Sequence, residues 1–259
     1  MPLRLRNHLA KRRTGMAHGR ASNCLNPTPY FAARQLSLVP SDGDIDMCRA
    51  FELRYSVYCV EYRFLDERAY PGGLETDASD SASAHFGAFN LNNELVGYVR
   101  LVPPDAQGRL PWDERCKSLL RDACLPPRSG SAEISRLMVR EDYRRRRGDT
   151  ISGVSQPGID PPEARNRRAA SPQILLALYR QMYQYSLQRG VRHWYAAMER
   201  PLARSLKRLD FAFRQVGAQA DYFGPVAPYL ADLRDLESHL ARSQPELLAW
   251  MQSRDNAAA

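Results

Sequence analysis

The stretch AEISRLMV at 132–139 decides how this chain is read. Ile134, Leu137, Met138 and Val139 belong to a buried strand. Such a strand rarely carries two ionisable side chains without partners or a task, because a charge taken from water must be compensated. Glu133 and Arg136 therefore call for partners elsewhere in the chain. Strict alternation puts Glu133 and Ser135 on one face of the strand and Arg136 on the other, unless a bulge intervenes.

Candidate partners stand in three further clusters: Arg54, then Glu75, Asp77 and Asp80 in GLETDASD (73–80), then Arg100 in GYVRL (97–101). With Glu133 and Arg136 these make three arginines and four carboxylates able to satisfy one another as a buried network. Each also has a plain reading. Arg54 could snorkel to a helix surface, the three acids could be turn and capping residues, and Arg100 could end an edge strand in water. Glu133 reads either as a proton-handling base or as a structural partner of Arg100 or Arg54.

Periodicity supplies the frame. A strand near 34–39 precedes a helix from about Asp44 to Cys59, whose stripe Ile45, Cys48, Phe51, Tyr55 and Tyr58 recurs every three or four residues. Cys48 and Cys59 read as small buried hydrophobes within it. Residues 60–82 read as an ordered loop. HFGAFNL and ELVGYVRLV form a hairpin turned at Asn92-Asn93, a pair able to adopt positive φ. Residues 103–130 are Pro-rich, with a short helix around Asp113–Asp122. A helix starting at Ser171-Pro172 runs to Gly190, followed by a strand over 192–198 and a helix from Pro201. FRQVG and DYFGPVAPYL read as final strands and 231–252 as a terminal helix. This alternation predicts a mixed α/β or α+β single domain over 31–259, after a mobile basic tail at 1–30 and with a flexible insertion at about 148–170.

Bulk properties bound the partners. The 259 residues, 44% hydrophobic, are enough for a sizeable core, and no apolar run approaches the roughly 18 residues that span a bilayer. The net charge of +8 is local: residues 1–20 hold six basic residues and no acid, and 144–168 hold seven arginines against three acids. Aromatic residues do not interleave with these runs, so nucleic acid is disfavoured. Peripheral membrane contact through the basic tail stays open. Five cysteines without a C-x-x-C pair support neither a disulfide framework nor a zinc site, and a cytoplasmic protein without metal is expected.

The order and spacing of the four clusters resemble the acyl-homoserine-lactone (autoinducer) synthases and the N-acyl amino acid synthases. Both are branches of the GNAT-like acyltransferase fold. The shared pattern is an arginine followed by aromatics, then E-x-D-x-x-D, an arginine before an apolar residue, and E-x-S-R. Here these stand as Arg54-Tyr55-Ser56-Val57-Tyr58, Glu75 to Asp80, Arg100-Leu101 and Glu133-Ile134-Ser135-Arg136. The stretches RYSVYCVEYRF, YPGGLETD, VRLVPP, EISRLMV and YRRRRGD look most similar to bacterial acyltransferases associated with exosortase/PEP-CTERM systems. The resemblance covers roughly residues 34–230.

It implies a mixed, mostly antiparallel twisted sheet flanked by helices. The implied reaction moves a long-chain fatty acyl group from acyl carrier protein, or from acyl-CoA, to the amine of an amino acid or similar small acceptor. No tightly bound cofactor is implied. Glu133 would be the base and Ser135 would meet the departing thiolate or place the amine. Arg54, Glu75, Asp77, Asp80, Arg100 and Arg136 would bind substrate or hold the site together. Arg145, Arg147 and Gly148 would hold the phosphopantetheine phosphate, although Thr150 departs from the family's phosphate loop. Phe86, Phe89, Leu175, Leu178, Met182, Trp194 and Tyr195 could line an acyl tunnel or be ordinary core. An acyl-homoserine-lactone synthase using S-adenosylmethionine, and a non-catalytic acyl or carrier-protein binding module for envelope assembly, are the alternatives.

Overall fold

The structure is a computed structural model and describes residues 31–39, 45–144 and 171–253. The expected basic tail at 1–30 and insertion at 148–170 lie outside the described residues. The strands are β1 (Ala32–Leu36), β2 (Ala84–Phe89), β3 (Leu95–Val102), β4 (Ser131–Val139), β5 (His193–Met198), β6 (Arg214–Gln215), β7 (Ala220–Asp221) and β8 (Pro225–Asp232). The helices are α1 (Asp46–Tyr55), α2 (Ser171–Gln188), α3 (Arg200–Arg208), α4 (Leu233–Ser243) and α5 (Pro245–Gln252). The sheet runs β1-β2-β3-β4-β5-β8-β6, with β7 paired to β8, and every pairing is antiparallel except β4 with β5. This is the mixed, mostly antiparallel sheet that the family resemblance implies.

Local chemistry explains the turns. Asn93 takes φ of 57° in the β2–β3 hairpin, and the Asn90 side chain accepts from the backbone N–H groups of Asn92 and Glu94. Gly190, at φ of 73°, ends α2 as its position after the apolar period predicts.

The two sheet faces differ. Ala132, Ile134, Trp194, Ala196 and Met198 face a large apolar core shared with α2, α4 and α5. The other face carries two smaller clusters. One packs α1 against Leu36, Phe89, Leu95 and Tyr98, and the other packs Leu110 and Trp112 against Tyr195 and Leu230. Alternation along β3 and β4 directs Arg100, Glu133 and Ser135 between those two clusters.

Three expectations need correction. In α1 the buried residues are Asp46, Met47, Ala50, Leu53 and Arg54, whereas Ile45 and Cys48 are exposed and Phe51, Tyr55 and Tyr58 only half-buried. The helix turns Arg54 inward, and the π-helical segment Ser56–Glu61 then resets its phase. Only Pro111–Glu114 forms a 3₁₀ turn where a helix at 113–122 is expected, because Trp112 and Cys116 are drawn into the core as single anchors. The terminal helix is two helices, broken at Gln244, with Pro245 at the first position of α5.

α2 approaches the sheet closely over Gly97 of β3. A Cβ there would lie 2.6 Å from Ile174 Cγ2 and 3.3 Å from Leu178 Cδ1. Gly97→Ala is expected to lower stability by about 1–3 kcal/mol through overpacking; a urea midpoint equal to wild type would contradict this contact.

Candidate active site

The site is built where β4 departs from regular geometry. Tyr98 opposes Met138 and Arg100 opposes Ser135, so Val99 faces two residues, Arg136 and Leu137. This β-bulge places Arg136 in the left-handed region at φ of 55°, a conformation rarely adopted by side chains branching from an L-carbon. Its consequence is to swing Arg136 onto the face that Arg100 already occupies.

Arg54, Arg100 and Arg136 there meet Glu75, Asp77 and Asp80. Arg54 donates through Nε to Glu75 and through Nη1 to Asp80 at 2.6 Å. Arg100 Nη1 and Nη2 each stand 2.7 Å from an oxygen of Asp77, and Nη1 also donates to Asp80. Arg136 Nη2 bridges Glu75 at 3.0 Å and Asp77 at 2.9 Å. The charges balance, three against three. Arg54 and Glu75 are fully buried, and Asp77, its side chain 27% exposed, is the most open to water. The snorkelling reading of Arg54 and the edge-strand reading of Arg100 therefore do not hold. The acids keep turn duties as well: Asp77 caps Ser79 N, and Asp80 accepts from Asp77 N.

Below this network lies a layer that sequence reasoning missed. Tyr98 Oη stands 2.6 Å from His85 Nδ1, and His85 Nε2 lies 2.9 Å from the Asp80 carbonyl oxygen. Nε2 must then be the protonated nitrogen, with Nδ1 accepting from the phenol. Burial, and less strongly the Arg100 and Arg54 charges, depress the His85 pKa, which suits that neutral form. A lone histidine and tyrosine on neighbouring strands carry no motif, so no local signal could have marked them.

Glu133 behaves differently from the other acids. It is 2% exposed and makes no ion pair with Arg54 or Arg100, and its Oε2 accepts the Trp112 backbone N–H at 2.8 Å. Burial pushes its carboxyl up to about 8, against the pull of the Trp112 N–H and Arg100. The reading of Glu133 as a structural partner of either arginine finds no contact here. Ser135 Oγ sits 3.5 Å from Arg100 Nη2.

A cavity of about 320 Å³ opens from this point. β4 and β5 pair only over Ser131–Ile134 and His193–Ala196, then splay, and the cavity occupies the gap. Glu133, Ser135 and Arg136 lie on its wall. One side is aromatic: Tyr58, Phe64 and Phe223 contact one another, and the Arg136 guanidinium lies 4.7 Å from the Tyr58 ring centroid and 5.3 Å from that of Phe223. The other side is apolar, with Leu137, Val139, Leu175, Tyr179, Met198 and Leu202. Of the expected tunnel residues only Leu175 lines this space. Phe86, Leu178, Met182 and Trp194 are core under α2, Phe89 packs against α1, and Tyr195 stacks on Trp112. Arg145, Arg147 and Gly148 lie outside the described residues; neighbouring Arg144 lines the cavity and pairs with Glu61 while donating to Tyr62 Oη at 2.8 Å.

The three network acids set the acid stability. Burial works to raise Asp77, but the Arg100 hydrogen bonds and the arginine charges overcome it and hold it at about 2. Glu75 and Asp80 are likewise lowered by their arginines against burial. Depressed carboxyls stabilise the fold above their unfolded values near about 4 and lose that contribution as pH falls through the folded values. The melting temperature is therefore expected to drop steeply from about pH 4 toward pH 2; a flat profile there would be inconsistent with the network. Arg54→Met, which leaves three buried acids to two arginines, is expected to cost about 3–5 kcal/mol in urea unfolding.

Comparison with known proteins agrees with this architecture. Residues 53–152 match the family model described as acetyltransferase (GNAT) domain. No curated protein matches the sequence. Among solved structures, BjaI, described as a CoA-dependent acyl-homoserine lactone synthase, is similar with a TM-score of 0.55 at 18% identity, over 86% of this chain and 98% of that one. TofI, solved with an inhibitor and MTA, has a TM-score of 0.52 at 16% identity, over 80% of this chain and 96% of that one. At such identities the likeness is one of fold: the chain has a GNAT-like α/β fold, an open and mostly antiparallel sheet flanked by helices.

Proposed function

We propose that this protein is an N-acyltransferase that moves a long-chain acyl group from a thioester, carried by acyl carrier protein or by CoA, to the amine of an amino acid or similar small acceptor. The observation that carries the reading is Glu133: a buried carboxyl without a salt bridge on the wall of a cavity that passes between two splayed strands. An α-amine is mostly protonated near neutral pH and must lose a proton before it attacks. A carboxyl held at about 8 accepts that proton far better than one at its ordinary value. The bulge takes Arg136 and Leu137 out of one-to-one pairing, and backbone N–H groups released there serve the oxyanion of the tetrahedral intermediate. Ser135, beside Arg100, meets the departing thiolate. The apolar side of the cavity takes the acyl chain and the aromatic side the acceptor.

The arginine-rich segment from Arg144 through Arg147 supports an acidic carrier protein as donor. The E-x-S-R and E-x-D-x-x-D pattern supports N-acyl transfer to a small amine in either synthase branch, and the similarity of stretches such as YPGGLETD supports a place in exosortase/PEP-CTERM systems. No described helix is long and apolar enough to cross a membrane. We place the protein in the cytoplasm, where acyl carrier protein is made.

Incubation of the protein with long-chain acyl carrier protein or acyl-CoA and pooled amino acids, read by mass spectrometry, should yield a base-stable N-acyl amino acid. A base-labile lactone formed with S-adenosylmethionine would replace this reading by the lactone synthase, and tight acyl binding without turnover would replace it by a binding module. Glu133→Gln should reduce turnover about 10²–10⁴-fold. In the wild type kcat/KM should rise with pH and level off above about 8, since only the ionised carboxyl accepts a proton.

A further inference from the structure

The proposed reaction releases a proton. A thioester and an alkylammonium give an amide, a thiol and H⁺: the C–S bond breaks, the C–N bond forms, one nitrogen proton stays on the amide and one passes to the thiolate. The third leaves on Glu133, which must shed it once per turnover while donor and acceptor fill the cavity. This inference rests on the acyl-transfer reading for its purpose, but its geometry lies on the other side of the base.

Behind Glu133 stands a separate cluster. Trp112, whose backbone N–H holds Glu133, stacks on Tyr195, with ring centroids 5.3 Å apart and planes 21° from parallel. Tyr195 is the cross-strand partner of Glu133 on β5. The Arg128 guanidinium lies 4.4 Å from the Tyr195 ring centroid and 5.3 Å from that of Trp112, and pairs with Asp113 at 2.6 Å. Trp112 and Tyr195 are 2% and 0% exposed, yet Trp112 Nε1, Tyr195 Oη and Arg128 Nη1 have no partner among the described residues. Three unmet polar atoms on three touching side chains call for partners, and water is the usual remedy. The cluster reaches solvent at its far edge, where the Arg128 and Asp113 side chains are 24% and 28% exposed.

We propose that Trp112, Tyr195 and Arg128 enclose a water relay that carries the proton from Glu133 to the Asp113 edge and bulk solvent, with Tyr195 and Asp113 as positioning residues for the base. A hydroxyl both donates and accepts, so Tyr195 Oη can pass a proton that an indole or guanidinium N–H can only anchor. The other groups facing Glu133 offer no such exit. Arg100 and Arg136 are held by the acid network, Cys116 is buried with its thiol pushed up by burial and by Glu133, and Tyr222 lies on the cavity side.

Tyr195→Phe keeps the stacked ring and removes only the relay oxygen. It should lower kcat by about tenfold or more without changing the KM for the thioester, and imidazole buffer, a mobile proton carrier, should restore the rate. Asp113→Asn should act in the same direction. Wild-type kcat and pH profile in both variants would overturn the relay. A readout free of turnover is the infrared band of the protonated Glu133 carboxyl, identified by its loss in Glu133→Gln. With the cavity filled by a non-reactive long-chain acyl thioether, which closes the direct route from Glu133 to solvent, its H/D replacement after transfer into D₂O should be slower in Tyr195→Phe than in wild type, and equal exchange would overturn the relay. If the wild type processes no thioester, the acyl-transfer reading fails while the infrared comparison still decides the relay.

Discussion

The architecture hangs on six charges placed where charge is least welcome. Arg54, Arg100, Arg136, Glu75, Asp77 and Asp80 lie between two apolar clusters on one face of the sheet. Removing each from water costs several kcal/mol, so they are tolerable only as a complete set with near-ideal geometry. Completeness then dictates backbone. Arg54 must come from α1, the acids from the 73–80 loop, Arg100 from the middle of β3, and Arg136 from β4. Because regular alternation would send Arg136 to the opposite face, the strand has to bulge. The left-handed residue at 136 is thus an answer to electrostatics, its strain of order 1 kcal/mol being small beside an unpaired buried acid.

That same bulge makes the cavity. Extra chain in β4 bends it away from β5 just past the four residues where the two pair in parallel, and the gap between them is the site. The network and the chemistry are therefore coupled through one local distortion. Within a few ångströms of backbone the protein holds two kinds of carboxyl. Glu75, Asp77 and Asp80 are kept ionised by guanidinium partners, whereas Glu133, given only an amide N–H, is pushed the other way. Environments that drive like groups apart are the mark of a divided labour between holding and reacting. The raised carboxyl has a cost in stability that grows with pH from its unfolded value up to about 8, since folding must then draw a proton from solution to keep the buried group neutral. Only function explains retaining it.

Much of this was legible in the chain. Period, turn residues and caps marked the hairpin, β4, α2 and its Gly190 stop, because those elements obey local rules. The four charged clusters were legible because buried ions need counter-ions, and their number nearly balanced. What failed was phase and ownership. The aromatic stripe of α1 reads as core, yet Arg54 claims the interior and a π turn shifts everything after it. Glu133 reads either as a base or as a partner of Arg100 or Arg54, and the sequence does not choose, because its partner is a backbone N–H from a Pro-rich loop and a backbone donor leaves no trace in sequence. His85 and Tyr98 went unseen for a related reason: each is ordinary alone, and only the register of β2 on β3 makes them neighbours.

The loop over 103–130 then takes on a larger role than its composition suggests. Trp112 does three things at once: its indole fills the second cluster, its ring carries the Tyr195 stack, and its backbone N–H fixes Glu133. A rigid aromatic anchored on two sides makes that N–H a fixed donor, so the base is aimed by packing at no entropic cost during reaction. An acid positioned instead by a flexible arginine would be both lower in pKa and freer to rotate. Placing the base under a tryptophan backbone, beside a charge network but not within it, lets one carboxyl be buried, oriented and reactive together.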